Sequence, residues 1–351
     1  MPGFATVVVG LAIGVAAMVP APAVAAANDF SAKNLSLIIG AGGGGSTDIG
    51  ARIFGRLLTR HLPGEPAIVY RNIPAGGGVQ ALNYFAANVK PDGLTVLSSS
   101  GTALEPETLR RQATKYDPSK FIMIGAIPGL GGVLVVNQAA LPRLTDKTAK
   151  PVVMGDLNGL RGAGQMAVWG PAFLGWNIRW VVGYASGGAL ALALKSNEVE
   201  ALAPIGLLSQ IVEGGGYGFP AQVGLYQDGK FFARPDFKDV PVFSDLIRPK
   251  LSGESLAAYE VWEAIVQVGK WYALPENTPA AIVASYRAAW EKIVADREFD
   301  AAMKLEAGDY TTISGAEMEK TVETLASASD SSLNFINDLR KKVGIPIEVQ
   351  K

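Results

Sequence analysis

Cysteine is absent from all 351 residues, and histidine occurs once, as His61. No disulfide, thiolate metal site or thiol nucleophile can be built, and no cysteine follows the N-terminal apolar stretch to carry a lipid anchor. Neither sign of charge is in excess: 31 Lys and Arg stand against 32 Asp and Glu, a formal net charge of -1. So balanced a chain sets up no global field toward nucleic acid or an anionic membrane, and any anion must be held by local groups. The catalytic patterns G-x-S-x-G, H-E-x-x-H and S-x-x-K with partners are also missing. His61 falls in the last turn of the first amphipathic segment, at the end opposite the glycine loop, and a helix rises about 1.5 Å per residue, so the histidine stands too far away to serve Ser46 as a base. These absences speak against an enzyme, and no cofactor or metal is expected.

Residues 1–27 contain no charged side chain. An apolar run from Phe4 to Val19 is followed by Pro20, Pro22 and Ala23-Val24-Ala25-Ala26-Ala27. That is the core and Ala-x-Ala end of a secretory signal, with cleavage expected near Ala25 or Ala27 and a periplasmic address. No Lys or Arg precedes the core, and an uncleaved membrane anchor is the competing reading.

What the chain has is glycine at informative places. Gly40-Ala41-Gly42-Gly43-Gly44-Gly45-Ser46-Thr47-Asp48 follows the apolar run Leu35–Ile39 and precedes a segment with Ile49, Ile53, Leu57 and Leu58 on one face. The order reads as strand, glycine loop, helix. Glycine lets the backbone approach a ligand, and a helix start offers unpaired N–H groups to an anion; Ser46 or Thr47 is the expected cap. A phosphate loop would need Lys where Gly45 stands. A dinucleotide site would need an acidic residue ending the second strand, Ala67–Tyr70, which runs instead into Arg71-Asn72. Pro74-Ala75-Gly76-Gly77-Gly78 then opens a second amphipathic segment, and a third strand, Leu94–Leu97, runs into Ser98-Ser99-Ser100-Gly101-Thr102. Any one of these loops suits a plain turn. Helix-length connections make the strands parallel, so all three loops fall on the carboxyl edge, where open α/β sheets bind ligands.

The order of segments predicts a signal over 1–27, the first part of one lobe over 28–129, a second lobe over 130–225, and a return to the first lobe over 226–351. A Gly-rich stretch and the strand Val133–Val136 mark the first crossing; Gly214-Gly215-Gly216 and Ala221–Tyr226 mark the return. The second lobe is read as a strand at Pro151–Met154, a helix near Gly162–Trp169, a strand at Trp180–Val182 and a helix at Ala189–Lys195. Val266–Leu274 is read as a strand interrupted by polar residues. Pro279 is read as opening a helix, and Glu317–Lys342 as carrying one helical pattern. The basic cluster Arg340-Lys341-Lys342 would complement the dipole at its end. The fold class is a two-lobed α/β architecture of the type II periplasmic-binding-protein kind, each lobe a doubly wound sheet with flanking helices and the ligand cleft between them.

These motifs resemble the solute receptors of tripartite tricarboxylate transporters, also called Bug receptors. The family's strand followed by Pro/Ala-Gly-Gly-x-Thr-Asp is matched at Gly42–Asp48, with glycine for the usual proline. Asn-x-Pro-Gly/Ala-Gly-Gly is matched by Asn72–Gly77, and Pro-Asp-Gly-Tyr-Thr by Pro91-Asp92-Gly93-Leu94-Thr95. Tyr116-Asp117-Pro118, Asp239-Val240-Pro241 and Leu274–Pro279 look like later landmarks of the family. In the second lobe Met154–Gly162 departs from the family pattern, whereas Gly183–Gly188 is similar to its Tyr-x-Gly/Ser loop.

The resemblance implies that one carboxylate of a small solute is held between the first two glycine loops through N–H groups and ordered water, for delivery to membrane transporter subunits by a monomeric receptor. A sensor reporting occupancy to a membrane partner, or a nucleotide- or phosphate-binding enzyme, are the alternatives. The expected contacts are Gly44, Gly45, Ser46 and Thr47 on the first loop, Gly76, Gly77 and Gly78 on the second, and Ser99, Ser100 and Thr102 on the third. Asp48 would repel an anion and is expected to fix the loop instead. In the second lobe Arg161 is the candidate for a distal carboxylate, with Asn158, Tyr184 and Ser186 beside it. Trp169, Trp176 and Trp180 suit the core better than the cleft.

Overall fold

The computed structural model describes Gly3 and residues 29–129, 131–157, 159, 162–184, 186–204, 208–307 and 309–345. The expected signal segment and the expected site residues Asn158 and Arg161 lie outside them. The chain begins β1 (Asn34–Ile39), α1 (Ser46–His61), β2 (Ala67–Asn72), α2 (Val79–Asn88), β3 (Thr95–Ser100), α3 (Pro106–Leu109) and β4 (Ile122–Pro128). There follow β5 (Val135–Asn137), β6 (Val152–Asp156), α4 (Met166–Phe173), β7 (Ile178–Val182), α5 (Gly187–Lys195), β8 (Ala201–Leu202), α6 (Leu208–Val212) and β9 (Tyr217–Gly218). A hairpin, β10 (Leu225–Gln227) and β11 (Lys230–Phe232), leads to α7 (Phe243–Ile247) and α8 (Gly253–Gln267). The chain closes with β12 (Val268–Leu274), α9 (Ala280–Val294), α10 (Arg297–Ala307), β13 (Ile313–Ser314), α11 (Gly315–Ala326) and α12 (Asp330–Lys342).

Two sheets organise these elements, one ordered β13-β4-β12-β3-β1-β2 and the other β7-β6-β8-β5-β9. In the first, β1 runs parallel to β2 and β3, while β12 is antiparallel to both β3 and β4, so β1 to β4 all point the same way. Both faces are covered, as the near-continuous apolar strands require. Leu37, Ile39 and Tyr272 pack with Phe54, Tyr286 and Trp290 under α1 and α9. Alternate residues Ile38, Leu97 and Trp271 pack with Leu82, Phe85, Met318 and Val322 under α2 and α11. The second sheet is likewise covered on both faces. Val136, Val152 and Met154 meet Trp169, Trp176 and Trp180, and Val135 and Val153 meet Leu190 and Leu194. All three tryptophans are core residues, as expected.

Several elements differ from the sequence reading. Val266 and Gln267 end α8 rather than begin a strand, and Val133 makes an isolated bridge ahead of β5. Residues 317–342 form two helices, not one, because Ser329 stops the first pattern and caps α12 by accepting from the Ser332 N–H at 3.1 Å. α7, α8 and α12 contribute Phe243, Tyr259, Trp262, Ile336 and Leu339 to the core of the second sheet, although they lie in the returning segment 226–351.

The crossings are tied by one buried amide. Val133 bridges Gln222, whose side chain donates to the carbonyls of Phe237 (2.8 Å) and Val240 (2.7 Å) and accepts from the Arg234 N–H (2.9 Å). Every polar atom of that side chain is used, so its burial costs little. Among the described residues no helix is long and apolar enough to cross a membrane.

Candidate functional site

Because β1 to β4 are codirectional, the loops after β1, β2 and β3 emerge on one edge of the first sheet. The backbone between Gly42 and Ser46 is exposed there, as are Gly76 and Gly77. The helix begins one residue earlier than a Ser or Thr cap would put it: Gly45 is the N-cap and supplies no side chain, and Ser46 is the first helical residue. Asp48 ties the loop down instead, accepting from the Gly44 N–H at 2.9 Å, from Arg52 Nε at 3.0 Å and from Asn72 Nδ2 at 2.8 Å. One buried carboxylate thus ties the first loop to the last residue of β2. The Arg52 hydrogen bond, helped by Asn72 and Gly44, overcomes desolvation and holds its pKa down at about 2.

In the second loop Gly76, Gly77 and Gly78 have φ of 66°, 67° and 99°, a run that only glycine adopts without strain. The third loop starts later than the sequence suggests. β3 continues through Ser100, so Ser98 and Ser99 are strand residues, fully buried, and their hydroxyls have no hydrogen-bond partner among the described residues. Ser99 lies directly beneath the other two loops. A Cβ on Gly40 would come within 2.8 Å of Ser99 Oγ, and one on Gly78 within 2.9 Å. Three loops therefore meet backbone to backbone, with Ser99 as their floor rather than as a surface contact. Ser100 is half-buried and Thr102 exposed beside them.

The second sheet brings Tyr184 and Ser186 to the carboxyl end of β7. Neither side chain stands idle. Tyr184 donates to Glu198 Oε1 at 2.7 Å, and burial followed by this carboxylate pushes its phenol up to about 12. Ser186 caps α5 by accepting from the Ala189 N–H at 3.2 Å. Glu200, beside β8, accepts from Arg143 and from the Val153 N–H at 3.1 Å.

Two charged residues missed by the sequence reading bear on this region. Arg340 stands in the last turn of α12, as expected, yet it is also buried, because Gln165 and Glu107 both claim it. Its Nε donates to Gln165 Oε1 at 3.1 Å and its guanidinium pairs with Glu107 at 2.8 Å. Gln165 in turn donates to the Gly159 carbonyl, in the loop after β6, while Glu107 lies in α3, just beyond the third glycine loop. One side chain therefore ties the segment after β6 to the helix that follows the third glycine loop. The other is Lys270, the only buried lysine among the described residues, paired in register with Ser100. A lone cation in an otherwise apolar strand was its one visible signal. Elsewhere, polar cavities of about 450 Å³ and 460 Å³ flank the β10–β11 hairpin, sharing Asp228 and Glu317, away from the glycine loops. The described residues contain no group of His, Cys, Asp and Glu arranged to hold a metal.

Two doubly covered sheets, with β12 and β13 returning the chain to the first and α12 packing on the second, define a two-lobed α/β fold. No protein-family model and no curated protein matches the sequence. Solved structures do: a TctC solute-binding protein from Polaromonas is 19% identical with a TM-score of 0.67, over 88% of this chain and 98% of that one. A protein of R. palustris solved with adipate is 18% identical with a TM-score of 0.57, over 90% and 99% of the two chains. The periplasmic binding protein BugD is 18% identical with a TM-score of 0.52, over 89% and 98%. At such identities the likeness is one of fold, and the fold is that of the TctC and Bug solute-binding proteins.

Proposed function

We propose that this chain is an extracytoplasmic receptor of the tripartite tricarboxylate transporter kind, a monomer that captures a small carboxylate and delivers it to membrane subunits. The observation that carries the reading is the convergence of three glycine- and serine-rich loops, with exposed backbone at Gly42–Ser46 and Gly76–Gly77, on one sheet edge. Several N–H···O⁻ bonds from such loops replace a carboxylate's hydration without a cation at the surface. In this reading Gly44 to Thr47, Gly76 to Gly78, Ser100 and Thr102 meet one carboxylate, while Asn158 and Arg161 meet the far end of the solute. Ser99 supports the loops from below, and Tyr184 and Ser186 shape the opposite rim. The solute leaves chemically unchanged.

Adipate, present in the R. palustris relative, heads the compounds to test, with succinate and benzoate beside it. A carboxylate at a hundredfold its dissociation constant adds about 2.7 kcal/mol of apparent stability, a clear rise in melting temperature. A panel of carboxylates that leaves the transition unmoved, while a nucleotide or phosphate raises it, contradicts the reading. Sequencing the N-terminus of exported protein checks the address: cleavage near Ala25 or Ala27 is expected, and an intact Met1 in the membrane fraction is not.

A further inference from the structure

We infer that Lys270 is part of the solute site: its ammonium supplies the positive charge that balances the bound carboxylate from beneath the first and third loops. The inference rests on the carboxylate reading above and names the group that sets its charge requirement. Lys270 stands opposite Ser100 on β12, at the carboxyl edge. Its side chain leaves the sheet on the α1 face, the face of Tyr272, which stacks on Phe54 of α1 at 3.8 Å and donates to the Gly50 carbonyl at 3.2 Å. The lysine stem runs across Gly50. A Cβ there would come within 2.7 Å of Lys270 Cδ and 3.2 Å of Cε. Glycine is among the poorest helix formers, yet it stands in the second turn of α1, where any side chain would push the stem aside. The helix gives up a better residue and gains a path for a lysine.

That path crosses α1 close to the first loop. Ser46 and Thr47 lie one turn before Gly50, about 5–6 Å away along the helix face. Long cationic side chains bury their stems and bring the charged head to polar surroundings. Arg52 bonds Asp48 at 3.0 Å and lies over the Tyr70 ring at 4.9 Å, and Arg71 lies over the Tyr84 ring at 4.5 Å. Lys270 has a partner within the protein as well, so a bound carboxylate joins an existing polar arrangement rather than filling a void. Backbone N–H groups orient the carboxylate from the loops; Lys270 decides that the guest must be an anion.

Calorimetry with adipate, succinate and benzoate tests this on wild type, Lys270→Met and Gly50→Ala. Wild type binds at least one of the three, and neutral adipamide binds far more weakly. Lys270→Met, which keeps the stem and deletes the charge, should weaken that carboxylate at least about 30-fold and flatten the dependence of affinity on salt. Gly50→Ala keeps the charge and displaces the stem; it should weaken binding several-fold while the protein stays folded. Unchanged affinity in folded Lys270→Met overturns the inference and leaves the receptor reading standing. If Lys270→Met does not fold, unchanged affinity in Gly50→Ala overturns it in the same way. Wild type that binds none of the carboxylates overturns both.

Discussion

Asp48 fixes the first loop against its own helix and the neighbouring strand, because its two oxygens reach Gly44, Arg52 and Asn72 together. The sequence reading assigned it to fixing the loop, since an acid facing an acid would be repelled; the partners on Arg52 and β2 could not be read without the register. Its pH dependence follows from sign. A pKa of about 2 lies below the ordinary value of about 3.9, so the stability it contributes is full above about pH 4 and is lost as pH falls toward 2. Asp48→Asn should remove that part of the acid dependence and loosen the Gly42–Ser46 backbone. Urea melts of both proteins between pH 2.5 and 7 measure the first, and amide exchange at Gly44 the second. Parallel stability profiles for the two proteins would contradict the assignment.

At the level of elements, the strand–loop–helix units of the first lobe were legible because glycine punctuation and apolar periodicity agree there. Their loops proved closer-packed than spacing could tell, with Ser99 as a shared floor. Gly78→Ala should therefore cost about 1–3 kcal/mol: φ is 99°, and the new Cβ would meet Ser99 Oγ at 2.9 Å and the Gly40 carbonyl at 3.0 Å. Gly43→Ala, with nothing within 4 Å of its Cβ, should be nearly neutral, and denaturant unfolding of the pair separates packing from mere flexibility. α8 was missed for a physical reason. It is covered by two cores, giving Tyr259, Val261 and Trp262 to one and Ala264 to the other, so no single apolar stripe marks it. The join of α11 to α12 was hidden because Val322, Leu325, Ile336 and Leu339 keep helical spacing across the Ser329 cap.

For the whole molecule, Arg340 ties the segment after β6 to the helix that follows the third glycine loop. No local signal reveals it, since its partners Glu107 and Gln165 lie 233 and 175 residues away in sequence. Arg340→Ala should destabilise the protein by roughly 2–4 kcal/mol, because buried Gln165 and the half-buried Glu107 lose a shared partner. Lysine should rescue little, lacking the forked guanidinium. A loss under 0.5 kcal/mol on denaturant unfolding would mean that the contact is incidental.

The receptor reading itself is tested most directly by native mass spectrometry of protein recovered from exporting cells, with the released small molecule identified. The account predicts one unaltered carboxylic acid per chain, lost when Lys270 or the Gly44–Thr47 loop is changed. A nucleotide, a non-acidic solute, or a chemically converted product in that place would contradict it.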